Sequence, residues 1–157
     1  MKKLSLIAFM LFGFYFQTLA QETEVEIWSI VEQMPRFPGC EKLRTIKDKN
    51  KCSDQKFMEY IDENLEYPEI AIKNKTEGIV TMKFSVTKDG SIKNVRVLRD
   101  IGDGCGEAAK KVILSMNNMG QKWIPGSHGG RKVSVNLTRP IKFRLTEELL
   151  KKHKENK

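Results

Sequence analysis

The sequence predicts a small α+β domain, a three-stranded antiparallel sheet with two helices packed on one face. Three observations carry that prediction. Residues 80–86 alternate, with Val80, Met82, Phe84 and Val86 on one side and Thr81, Lys83 and Ser85 on the other, the period of a half-buried strand. Asp89-Gly90 follows, a pair that tolerates positive φ and lets the chain reverse tightly into a second strand over residues 92–99. On either side of this hairpin lie segments with apolar residues at helical spacing: Phe57, Met58, Ile61 and Leu65 before it, Ala109, Val112, Ile113 and Met116 after it. Each is apolar on one side only and needs a sheet to cover it.

Taken in order, residues 1–20 have the layout of an export signal: Lys2 and Lys3, an apolar run, then small residues at Thr18 and Ala20 ahead of Gln21. The alternative is an uncleaved inner-membrane anchor. Residues 21–52 form an N-terminal extension and loop. Within it Val25, Ile27, Ile30 and Val31 flank Trp28 and predict a short leading strand stopped by Pro35 and Pro38. The lysine-rich residues 42–51 read as a solvated loop, and Ser53 or Asp54 as the cap of the first helix. A Tyr67-Pro68 step opens a short helical turn that Glu77-Gly78 breaks.

In the second strand of the hairpin the alternation slips between Ile92 and Val95, which predicts a bulge or a late strand start. The glycine-rich link at 102–106 leads to the second helix, which Gly120 closes. Trp123 and Pro125 are expected to lock that helix to the sheet. The last strand keeps Val133, Val135, Leu137, Ile141, Phe143 and Leu145 on one parity, and only Arg139 interrupts that face. Pro140 cannot donate to a ladder, so this strand exposes an edge or bends there. The domain is thus expected over residues 53–145, with a charged tail at 146–157.

The formal net charge is +8, and loss of residues 1–20 removes two lysines and no acid, leaving +6. For an exported chain this charge fits solubility or an anionic envelope surface. No nucleic-acid motif accompanies it, and no nucleic-acid partner is expected. Export makes Cys40 and Cys52 a candidate disulfide, closing a loop whose restriction of the unfolded chain contributes roughly 3 kcal/mol. Cys105 is left as a turn residue or a free thiol able to cross-link two copies. His128 and His153 stand alone, so neither a metal site nor another cofactor is expected. With no nucleophile elbow, zinc-protease helix or phosphate-binding loop, no catalytic residues are assigned and the chain is read as a non-enzyme.

Several motifs in register resemble the C-terminal domain of the TonB energy-transducer family, in its Bacteroidetes-like form. They are Val31-Glu32-Gln33-Met34-Pro35 with Phe37-Pro38-Gly39, the run from Leu65-Glu66-Tyr67-Pro68 to Ala71, and Glu77-Gly78-Ile79-Val80. Phe84-Ser85-Val86-Thr87-Lys88-Asp89-Gly90 comes next, then Glu107-Ala108-Ala109, Trp123-Ile124-Pro125-Gly126, Gly130-Arg131-Lys132-Val133 and Pro140-Ile141-Lys142-Phe143. The resemblance implies a periplasmic domain whose partners are outer-membrane TonB-dependent receptors, with ExbB and ExbD on the inner-membrane side. It also implies the binding mode, in which an extended receptor segment adds as a strand to an open sheet edge. Carried onto this sequence, the contact residues are Asn64, Tyr67 and Pro68 with Val133, Ser134, Val135, Asn136 and Leu137 of the last strand. The enterobacterial motif Gln-Pro-x-Tyr-Pro is altered, since Asn64 and Leu65 stand where Gln and Pro would be, and no long proline-rich spacer is present in the sequence. The competing expectation is a structural envelope protein that homodimerises or binds the cell wall.

Overall fold

The structure, a computed structural model, describes residues 27–155. Residues 1–26, which include the segment expected to be an export signal, lie outside the described residues. Phe84, Val80, Met82 and Val86, the apolar parity of the predicted strand, are fully buried at the centre of the domain. They belong to β2, Gly78–Val86, which pairs antiparallel with β3, Ile92–Arg99, and along its other side with β5, Arg131–Phe143. A two-residue β1, Ile27–Trp28, adds to β5 in the parallel sense, and β4, Gly126–His128, pairs with Arg131, Lys132 and Val133 at the start of β5. The order is β1-β5-β2-β3 with β4 attached to β5. The leading strand expected around Trp28 is present as β1, and with β4 it brings the sheet from the expected three main strands to five. β4 has 3 residues, too few to show any period in sequence.

Helices cover one face of the sheet. α1, Ile46–Asn64, buries Phe57 and Ile61, and α3, Cys105–Ser115, buries Ala109, Val112 and Ile113 against the same cluster. A short α2, Glu69–Asn74, lies between α1 and the hairpin, and α4, Glu147–Glu155, follows the last strand. The start of α1 differs from expectation. Thr45 is its cap, its hydroxyl accepting from the Asp48 amide, so residues 46–51 are helix instead of loop, and Ser53 and Asp54 sit inside it. A lysine-rich turn has no apolar face to reveal it, but a side-chain cap satisfies the orphan amides that would otherwise disfavour it.

The N-terminal segment belongs to this same core. Phe37 meets Phe57 and Trp123 edge to face, at centroid distances of 6.2 and 5.5 Å, and Trp123 also packs on Phe84 at 5.7 Å. Burying aromatic side chains of this size stabilises a fold by roughly 2–3 kcal/mol each. Cys40 and Cys52 are disulfide-bonded, and the Ser53 hydroxyl accepts from the Phe37 amide at 2.6 Å, so residues 37–40 are held to α1 at two points. At the β2–β3 turn Gly90 is required twice over. Its φ is +80°, and a Cβ there would lie 2.2 Å from the Trp123 carbonyl oxygen.

Candidate functional site: the free margin of β5

Val135 pairs with Val86 of β2 and with Trp28 of β1, so the two strands flank β5 on opposite sides. β1 reaches only Ser134 and Val135. Beyond Asn136, whose N–H the parallel ladder directs at the Trp28 carbonyl, the side of β5 away from β2 has no strand partner as far as Phe143 among the described residues. Pro140 reveals which groups face that way. Lacking an N–H, it can pair with Thr81 only in the non-hydrogen-bonded manner, so the bonds to β2 are exchanged by the odd-numbered residues beside it. By alternation, the backbone groups of Asn136, Thr138 and Lys142 point outward.

The residues expected to make contact are therefore placed in two groups. Val133 is already opposite Gly126 of β4, and Ser134 and Val135 are already opposite β1. Ser134 also accepts a hydrogen bond from the Lys88 amide at 3.1 Å. Asn136 borders the unpaired run, its N–H toward Trp28 of β1, while Leu137 points its side chain into the core. Arg139, the interruption in the apolar parity, turns toward α1, where it pairs with Asp54 at 3.2 Å and lies over the Phe57 ring. That placement explains how a cation is accommodated on the helix side of the sheet.

The far end of this margin runs into a cleft of about 730 Å³ that includes Met58, Asp62, Glu63, Leu65 and Tyr67 on one wall and Lys142, Arg144, Glu148 and Leu149 on the other. Tyr67 packs edge to face on Phe143 at 5.3 Å and donates its hydroxyl to the Thr76 carbonyl at 2.5 Å. Burial, followed by the neighbouring Cys105 and Glu77, pushes its phenol up to about 12. Pro68 caps α2 in an extended conformation and packs near Gly104. Asn64 is the last residue of α1, and its amide nitrogen bonds the Tyr60 carbonyl at 2.9 Å. Tyr67 is thus both scaffold and cleft wall, whereas Asn64 completes its own helix. Met58 and Leu149 were missed as wall residues by sequence reasoning. Met58 had a signal, as an extra residue on the apolar stripe of the first helix, whereas Leu149 stands in a segment that reads as a charged tail.

The model of the Gram-negative bacterial TonB protein C-terminal family matches residues 63–145. The chain belongs to that family. Two solution structures of the Helicobacter pylori TonB C-terminal domain are similar to it. The one of residues 194–285 is 26% identical, with 59% of this chain and 94% of that chain covered and a TM-score of 0.47. The one of residues 179–285 is 24% identical, with 59% and 80% covered and a TM-score of 0.45. No curated protein matches. The TonB C-terminal family consists of non-catalytic binding domains that serve energy-coupled transport from the periplasm, and it implies interaction with TonB-dependent receptors. Among the described residues no helix is long and apolar enough to cross a membrane, and no group of three or more metal-ligating side chains is assembled.

Proposed function

We propose that this TonB-like domain works in the periplasm by taking an extended segment of an outer-membrane TonB-dependent receptor as an added strand on β5, so contributing to energy-coupled transport. ExbB and ExbD enter this reading as the inner-membrane source of the coupling. The observation that carries it is the unpaired run from Leu137 to Phe143, regular in register and opening into the Tyr67 cleft. Backbone groups there supply affinity to any extended chain, and the cleft supplies side-chain selection. β1 supports the reading further, because a strand in the parallel sense is compatible with the neighbouring part of the same margin.

Titrating the folded chain with receptor N-terminal peptides, and following its backbone amides, tests the reading. Shifts are expected at Asn136, Thr138 and Lys142. An unchanged spectrum along this run at millimolar peptide defeats it. The same unpaired backbone favours one rival, homodimerisation edge to edge. Sizing at two salt concentrations separates them, since a stable dimer would occupy the margin before any receptor segment arrives.

A further inference from the structure

The face of the sheet away from the helices carries a hollow of about 290 Å³ where β1, β5, β2 and β3 meet, and its lining includes Ile27, Asn136, Lys83, Ser85, Asn94 and Arg96. Its construction begins with the irregularity in β3. Lys83 pairs with Arg96 and Ser85 with Lys93, so Asn94 and Val95 together stand opposite Phe84. Asn94 is one of the two residues at this bulge and has φ +53°, a conformation that glycine adopts freely and other residues adopt at a cost. Its side chain has a use there. Asn94 Nδ2 donates to Ser85 Oγ at 3.2 Å, and Ser85 Oγ donates to Asn136 Oδ1 at 2.7 Å. This relay crosses three strands and fixes the Asn136 amide so that its nitrogen remains a donor. Lys83 and Arg96 add two positive charges. Among the described residues neither is in an ion pair, and no acid is among the lining residues named above.

We propose that this hollow receives a carboxylate, the side chain of an acidic residue in a strand lying along β5. Two cations and an oriented amide select an anion, and the planar fork of Arg96 matches a planar carboxylate. The source is a polypeptide because Ile27, opposite Ser134 on that margin, is itself a wall of the hollow. A side chain from a strand in that position therefore reaches it. The residue of a parallel added strand that falls opposite Asn136 shares this face. The identity of the ligand's carrier rests on the strand-addition reading, but the anion site itself is independent of it.

The test uses the folded full chain, with the side-chain amide signals of Asn94 and Asn136 followed during titration with N-acetylglutamic acid amide and, separately, with its glutamine analogue. A saturable shift is expected from the glutamic acid compound, about tenfold weaker or absent with the glutamine compound, and lost in Lys83→Met/Arg96→Ala with the backbone spectrum preserved. Equal response to both compounds overturns the proposal, as does a shift that survives the double substitution. Tighter binding of inorganic phosphate than of the carboxylate also overturns it. Receptor peptides that move Thr138 and Lys142 without a response at Asn94 sink the carboxylate site alone. A response at Asn94 with no peptide-induced change in backbone amides supports the anion site and sinks strand addition alone.

Discussion

β3 and β5 flank the same central strand, yet they meet solvent in different ways. β3 pairs with β2 through two register shifts, carries Asn94 at positive φ, and presents Lys93, Arg96 and Arg99 outward or along its face. β5 pairs with β2 over nine consecutive residues without a shift. An irregular, basic strand is a poor template for further pairing, whereas a regular one with unpaired backbone is a good one. The difference teaches that an open edge is a choice made locally: one margin is blunted, and the other keeps a regular run of unpaired backbone.

The largest expected effect separates the two sides of β5 itself. Leu137→Pro removes a donor directed at β2 and a buried side chain, and should cost on the order of 4 kcal/mol. Thr138→Pro, one residue on, removes only an outward donor. It should change stability by less than about 1 kcal/mol while abolishing the peptide-induced shifts. Chemical denaturation reads the first and amide titration the second, and equal losses of stability would break the assignment of which groups face out.

Next in size is the Cys40–Cys52 bond, which holds the segment leading from β1 into the core. Replacing both cysteines with serine should lower stability by about 3 kcal/mol, with hydrogen exchange at Ser134 and Val135 speeding up more than at β3. Uniform acceleration would show that the β5 margin has no separate dependence on this bond. A smaller effect is expected at the bulge. Asn94→Val should cost about 2 kcal/mol, because a β-branched residue resists positive φ, and Asn94→Gly should stay within about 1 kcal/mol of the parent.

Titration gives the mildest contrast. Hydrogen bonds from Ser91 and Thr87 hold Asp89, in the β2–β3 turn, well below the usual carboxylate range. A depressed folded-state value means that its contribution is complete above the unfolded value of 3.8 and is lost as pH falls through the folded one. Tyr67, beside the end of β5, behaves in the opposite sense: its contribution is complete below 10.0 and is lost as pH rises through about 12. Denaturation midpoints across pH should show an acid limb made shallower by Asp89→Asn and an alkaline limb made shallower by Tyr67→Phe. The part of each limb lost on substitution then reports on the neighbourhood of that one residue.

The hairpin, the two main helices and the last strand were legible because alternation and helical spacing record burial directly, as Val80, Phe84 and Ile61 show. The slip between Ile92 and Val95 was visible too, and it is the bulge at Asn94. Other features had no periodic signal. The first turns of α1 depend on one cap at Thr45, and β4 holds its place through the pairing of Gly126 with Val133 and the tilted contact of His128 with Trp28 of the expected leading strand. The extent of the free margin was hidden for the same reason, since β1 and β4 occupy Val133, Ser134 and Val135. Lys83 and Arg96 read as ordinary solvent-facing cations, and only pairing across strands brings them to one hollow.

Cys105 sits at the start of α3 with none of its surface exposed, and burial followed by Asp100 and Asp103 pushes its thiol up. A thiol kept protonated and out of reach is inert to alkylating reagents while the domain is closed. The protein consequently carries its own clock for opening: with the other two cysteines tied together, uptake of a single covalent tag counts how often the interior is laid bare.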